Sequence, residues 1–148
     1  MSDQPRYRAL LIGIDAYADR PLRGCVNDID AVERLLLERA EIPAGDIVRL
    51  ASPHAGDTHE TKLDGRPATL VNIRAELTRL ASEEVKPTDR VFIYYSGHGG
   101  RAPVSGPQGN FHSESLVPVD YNGTGNGLQL LHDFEFNGLL AAIARRTG

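Results

Sequence analysis

Two apolar runs in this chain lack any polar alternation, and they limit the fold more than any other feature. Ala9-Leu10-Leu11-Ile12-Gly13-Ile14 is closed by Asp15, and Val91-Phe92-Ile93-Tyr94-Tyr95 is closed by Ser96 and Gly97. A strand with one wet face alternates apolar and polar residues, whereas a strand covered on both faces does not. Both runs therefore read as buried strands. The segments between and after them carry helical periodicity. Asn27 and Asp28 can cap a helix, after which Ile29, Val32, Leu36 and Ala40 fall on one face. Pro43 and Gly45 break it, and Ile47 to Leu50 reads as a second strand. Residues 52–68 form a long polar loop. Thr69 caps a second helix with Leu70, Ile73, Leu77 and Leu80 on its buried side, and Pro87 and Asp89 turn the chain into the Val91–Tyr95 strand. The order strand, helix, strand, helix, strand predicts an α/β fold with a parallel sheet and right-handed crossovers.

Residues 101–127 carry many glycines together with Pro103 and Pro107, and read as a loop region that can wall a cleft. Within it, Leu116 to Val119 reads as a short strand, placed at an edge by Pro118. Asp133 is positioned to cap a last helix with Phe136, Leu139, Leu140 and Ile143 inward. Gly138 weakens that helix by up to about 1 kcal/mol relative to alanine. Arg145-Arg146-Thr147-Gly148 reads as a helix terminus leading towards a further strand.

A chain of 148 residues with 41% hydrophobic residues is enough for one domain with a real core. Sixteen Lys and Arg against twenty Asp and Glu give a net charge of −4, with no basic stripe, so nucleic acid is not an expected partner. Cys25 is the one cysteine, which excludes an internal disulfide framework. The polar start has no apolar signal region, and no apolar run reaches membrane-spanning length. A cytoplasmic protein without a membrane partner is expected.

Ser96-Gly97-His98-Gly99-Gly100 follows the second apolar strand at once. In open α/β sheets, active groups collect beyond the carboxyl ends of the strands. Glycines on both sides of His98 allow a sharp bend and close approach of a substrate. An imidazole titrates near neutrality, which suits a proton shuttle. The competing reading is a turn histidine bonded to backbone. Other histidines offer less. His59-Glu60-Thr61-Lys62-Leu63 begins like a zinc-protease helix, but Leu63 stands where the second histidine belongs, so no zinc site follows. His54 and His112 read as loop residues. No glycine-rich phosphate loop with a lysine is present.

Three blocks together resemble caspase-like peptidases, most closely metacaspases and their bacterial relatives. They are Ala9-Leu10-Leu11-Ile12-Gly13-Ile14, Leu22-Arg23-Gly24-Cys25-Val26-Asn27-Asp28 and Tyr94-Tyr95-Ser96-Gly97-His98-Gly99. Glu114-Ser115-Leu116-Val117-Pro118-Val119-Asp120 is a weaker fourth. The resemblance implies a caspase-like three-layer sandwich, of which residues 1–148 form the N-terminal, histidine-bearing portion. It makes His98 the catalytic histidine and gives the Gly99 N–H to an oxyanion hole. It places Cys25, Asp28 and Ser96 around a substrate-binding pocket for arginine or lysine, which a carboxylate binds strongly and directionally. Asp28 as a helix cap and Ser96 as a packing residue remain alternatives.

The resemblance makes Cys25 a pocket residue and puts the nucleophile downstream of the histidine, about 50 residues on in caspases. That is where this chain ends, so a strand with an Asp-x-Cys type motif is expected from the remainder of the catalytic domain or from a second chain. Cys25 as the nucleophile, and Cys25 as a buried small residue without chemistry, are the other readings. Many metacaspases hold calcium on acidic side chains. Here Ser113 stands where aspartate is usual, and His132 beside Asp133 where two aspartates are usual, leaving Glu114, Asp120 and Asp133. No metal and no strong calcium requirement are expected.

The function implied is a cysteine endopeptidase cleaving protein or peptide substrates after Arg or Lys. The alternative is a catalytically inactive caspase-like interaction or regulatory module. A non-enzymatic α/β binding module leaves the Ser-Gly-His-Gly string unexplained. A sheet lacking its next strand exposes an unpaired edge, so residues 1–148 alone are expected to be unstable and inactive.

Overall fold

A computed structural model describes residues 5–57, 66–82, 84–124 and 129–147. The elements run β1 (Tyr7–Ile14), α1 (Cys25–Glu38), a single 3-10 turn (Ala44–Asp46), β2 (Ile47–Ser52), α2 (Leu70–Leu80), β3 (Arg90–Ser96), β4 (Gly99–Gly106), β5 (Gly109–Leu116), β6 (Leu131–His132) and α3 (Asp133–Thr147). β1 lies between β2 and β3 and is parallel to both. Its side chains alternate between two cores, and this is why its sequence does not alternate. Ala9 and Leu11 pack with Ile29 and Leu36 of α1. Leu10, Ile12 and Ile14 pack on the other side with Ile73, Leu77 and Leu80 of α2 and Ile143 of α3. Helix, sheet and helix thus form three layers, as expected of a caspase-like α/β fold. Among the described residues, no helix is long and apolar enough to cross a membrane.

Several expectations need correction. Asn27 and Asp28 do not cap α1. The helix begins at Cys25, after Gly24 at φ 103°. Its first amides are taken by Asp15 at the end of β1, whose carboxylate accepts from the N–H of Cys25 (2.9 Å) and of Val26 (3.2 Å). A capping group from ten residues upstream leaves no local signature. α1 ends at Glu38, so Ala40 lies beyond it and is exposed. β3 is an edge strand rather than a buried one. Among the described residues it pairs only with β1, and Phe92 is 41% exposed.

The larger correction concerns residues 101–127. The first part, residues 101–116, belongs to an antiparallel hairpin, with β4 and β5 paired from Gly99↔Leu116 to Gly106↔Gly109 and Pro107-Gln108 at its tip. His112 is therefore a strand residue. Ala102, Ser113 and Ser115 face inward and most of their neighbours face out. Inward residues this small produce little hydrophobic signal, so composition outweighed the alternation. Pro103 is tolerated because β4 is an edge strand. The Val117 N–H donates to His98 O at 3.0 Å, which makes Gly99↔Leu116 a non-hydrogen-bonded pair. Counting along the ladder, Pro103↔His112 is one too, so the missing N–H of Pro103 faces away from β5. The expected strand at Leu116–Val119 is not one. Leu116 ends β5, and Val119 instead straps to Ala68 O by its N–H (3.0 Å).

The remaining helices follow expectation. Thr69 caps α2 by accepting the Asn72 N–H. Asp133 opens α3 and accepts the Phe134 N–H at 2.7 Å. Ile143 is buried, Phe136 and Leu139 pack against the core, and Leu140 is half-buried.

Candidate active site

The end of β3 is where the two sheets meet. The pleat sends Tyr95 to the α2/α3 side and Ser96 to the α1 side, and this separates the site into two parts. On the α1 side, Ser96 Oγ donates to Asp28 Oδ2 at 2.7 Å. Cys25 lies beside them, close enough to Ser96 and Asp28 for both to bear on its thiol. The three residues that the family resemblance groups as a pocket are thus together in space. Asp28 is exposed in the first turn of α1, and its carboxylate can meet a cation, whereas Asp15 is buried and occupied with the helix amides. Burial pushes the Cys25 thiol up, Ser96 opposes this, and Asp15 and Asp28 add to it. That is the reverse of what an attacking thiolate needs.

His98 and Gly99 lie on the other side, in a cleft of about 470 Å³ lined by Tyr17, Asp19, Arg20 and Tyr121 among others. Cys25, Asp28 and Ser96 do not line it. His98 Nε2 is 2.7 Å from Arg20 O. A carbonyl only accepts, so Nε2 carries a proton, and in the neutral ring Nδ1 holds the lone pair. Arg20 itself holds φ 55°, and its loop bends its carbonyl onto the ring. The Tyr17 ring backs the imidazole at a centroid distance of 4.5 Å. In the non-hydrogen-bonded pair Gly99↔Leu116, the Gly99 N–H points away from β5.

Gly97 serves a purpose other than bending. Neither Gly97 nor Gly99 has a positive φ. Gly97 is required for close approach: a Cβ there meets Tyr17 Oη at 2.6 Å and Tyr95 Oη at 2.8 Å. Tyr17, Tyr95, Asp15 and the Arg20 carbonyl were not singled out from sequence. The Tyr94-Tyr95 pair read only as strand aromatics, and nothing local marks Tyr17 or Arg20 as neighbours of residue 98.

The residues at the implied calcium positions do not fit that ion. Ser113 Oγ donates to Asp133 Oδ1 at 2.7 Å and lies 3.1 Å from His132 Nδ1. Asp120 Oδ1 accepts the Leu70 N–H at the start of α2. A neutral hydroxyl, an imidazole and committed carboxylate oxygens are a poor match for a cation that takes six to eight oxygens. Among the described residues, no group of three or more His, Cys, Asp or Glu is placed to hold a metal. The His59–Leu63 string lies outside the described residues. A second cleft, of about 450 Å³, involves Arg6, Arg8 and Arg79, but these already pair with Asp46, Asp89 and Glu76.

Comparison with known proteins gives a consistent picture. The family described as metacaspase, peptidase C14 domain matches residues 7–143. Metacaspase-1B of Aspergillus terreus is 38% identical over 124 residues, which is 82% of this chain and 30% of that protein. Metacaspase-1B of Aspergillus clavatus is 36% identical over 124 residues, 82% of this chain and 28% of that protein. Metacaspase-1 of Mycosarcoma maydis is 33% identical over 129 residues, 84% of this chain and 29% of that protein. The chain spans under a third of the length of these curated relatives.

Proposed function

This chain belongs to the metacaspase peptidase C14 family, and on that premise we propose that it is the histidine-bearing part of a cysteine endopeptidase that cleaves after Arg or Lys. The observation that carries the reading is the His98 imidazole, tied through Nε2–H to Arg20 O so that Nδ1 is the nitrogen left for proton transfer, and followed in the chain by an outward Gly99 N–H. The nucleophilic cysteine comes from the remainder of the catalytic domain or a second chain, whose strand can pair with the open edge of β3. His98 Nδ1 takes the thiol proton as sulfur attacks the scissile carbonyl. The Gly99 N–H stabilises the oxyanion. The imidazolium then protonates the leaving amine, and the acyl-enzyme forms. Water hydrolyses it, with His98 taking the proton of the water and returning it to the cysteine sulfur. Asp28, braced by Ser96, binds the guanidinium or ammonium of the substrate residue before the scissile bond. Cys25 fills the floor of that pocket. In this reading no metal takes part and the setting is cytoplasmic.

An inactive, scaffold-like role is the second reading. It is favoured by Cys25, the one cysteine of these residues, whose burial pushes its thiol up. The test is hydrolysis of Arg- and Lys-terminated peptide amides by the full-length polypeptide, with His98→Ala and Asp28→Ala variants. His98→Ala is expected to abolish turnover, and Asp28→Ala to raise KM at least tenfold. Turnover in His98→Ala equal to wild type sinks the catalytic reading. No turnover in any form of the folded protein favours the scaffold.

A further inference from the structure

Two phenols converge on the backbone of residue 98. Tyr17 Oη accepts the His98 N–H at 2.9 Å and donates to Val117 O at 2.8 Å. Tyr95 Oη lies 2.8 Å from His98 O and 2.9 Å from Val117 O, and its single proton is shared between the two carbonyls. The two oxygens are 3.2 Å apart. Tyr17 comes from the loop after β1 and is 6% exposed, and Tyr95 comes from β3. Gly97 leaves the space they occupy, since a Cβ there meets both hydroxyls.

The consequence follows from peptide geometry. A peptide unit is planar and trans, so its N–H points opposite to its C=O. Tyr17 grips the N–H of the 97–98 unit. Tyr95 and the Val117 N–H grip the C=O of the 98–99 unit. Holding His98 O towards Val117 therefore aims the Gly99 N–H the other way. The two peptide planes on either side of His98 are both held, and with them the Cα–Cβ bond that directs the imidazole.

We propose that Tyr17 and Tyr95 are positioning residues, Tyr95 aiming the Gly99 N–H and Tyr17 setting the His98 ring, through hydrogen bonds to the backbone of residue 98. This rests on the peptidase reading above. Burial raises both phenols above the ordinary tyrosine range, so each keeps its proton at any working pH. The pair acts as fixed donors and acceptors, not as titrating groups.

The experiment uses Tyr95→Phe and Tyr17→Phe in the full-length protein, with His98→Ala as control. Steady-state kinetics on an Arg peptide amide are combined with hydrogen exchange and 15N shifts of the Gly99 amide. Tyr95→Phe is expected to lower kcat about ten- to a hundredfold, with KM within about twofold, because an oxyanion donor matters chiefly in the transition state. It also shifts the Gly99 amide and speeds its exchange. Tyr17→Phe is expected to lower kcat by a smaller factor and to move the His98 ring resonances. A purely structural hydroxyl lowers the melting temperature but leaves kcat per folded molecule and the Gly99 amide unchanged. That result overturns the proposal. The two variants are read separately, so failure of one to fold leaves the other decisive. If His98→Ala retains activity, the peptidase reading falls, while the Gly99 amide still decides whether Tyr95 orients the 98–99 peptide.

Discussion

The parallel sheet and the hairpin that follows it meet at His98, but they draw on apolar burial and hydrogen bonding in different proportions. In β1, Leu10, Leu11, Ile12 and Ile14 are no more than 1% exposed and touch helices on both faces. In β4 and β5 the inward residues are small, and Phe111 is 48% exposed. The hairpin adds only Ala102 and part of Leu116 to the apolar cluster of Leu10 and Ile12, and directional polar bonds supplement that small contact: the Val117 N–H to His98 O, Tyr17 and Tyr95 to Val117 O, and the Val119 N–H to Ala68 O. Apolar burial is non-directional and contributes stability. Hydrogen bonds depend on angle. The candidate active site sits on the seam where the first gives way to the second, and a site that must aim an imidazole and an amide needs the second.

The largest effect expected from this contrast is on stability. Leu10→Ala should cost about 2–5 kcal/mol, as for other fully buried large-to-small changes. Phe111→Ala on the hairpin should cost under about 1 kcal/mol. Urea unfolding followed by circular dichroism compares them, and equal costs break the distinction between the regions.

An intermediate effect separates the seam from an open helix. Gly97→Ala drives a Cβ into two tyrosine hydroxyls and should cost about 1–3 kcal/mol. Gly138→Ala, inside α3 with nothing within 4 Å, should stabilise by about 0.5–1 kcal/mol. Opposite signs in the same unfolding experiment sharpen the claim that Gly97 is kept for close approach. A neutral Gly97→Ala contradicts it.

The smallest effect concerns pH. Asp89 precedes β3, and burial pushes its carboxyl up, but the Lys86 N–H and the Arg8 guanidinium outweigh this and hold it below the ordinary range. A depressed carboxylate contributes stability above its unfolded pKa and loses it as pH falls through the folded one. Wild type should therefore lose more stability than Asp89→Asn between about pH 5 and pH 2. Parallel acid limbs in melting temperature against pH remove Asp89 as a clamp between β1 and β3.

Burial on two faces made β1 legible, and apolar spacing marked the buried side of α2, because such signals repeat every few residues along the chain. The hairpin was missed because Ala102, Ser113 and Ser115 bury little apolar area, while Gly106, Pro107 and Gly109 look like breakers. The Asp15 cap on α1 was missed because its partners are ten and eleven residues away. His98, Gly99, Cys25, Asp28 and Ser96 were named from one run of residues and a family resemblance. The structure brings Cys25, Asp28 and Ser96 together at the start of α1 and the end of β3, while His98 and Gly99 line the neighbouring cleft.

The sequence by itself determined the order of strands and helices in the parallel sheet and the place of His98 beyond a strand end. Periodicity and burial are local, and short segments carry them. Only the tertiary structure decided which nitrogen of His98 carries the proton and which way the Gly99 N–H points. Those depend on Arg20 O, Tyr17 Oη and the Val117 N–H, groups up to 81 residues away from His98 in the chain. Hydrogen-bond direction between such distant groups exists only once the layers have packed.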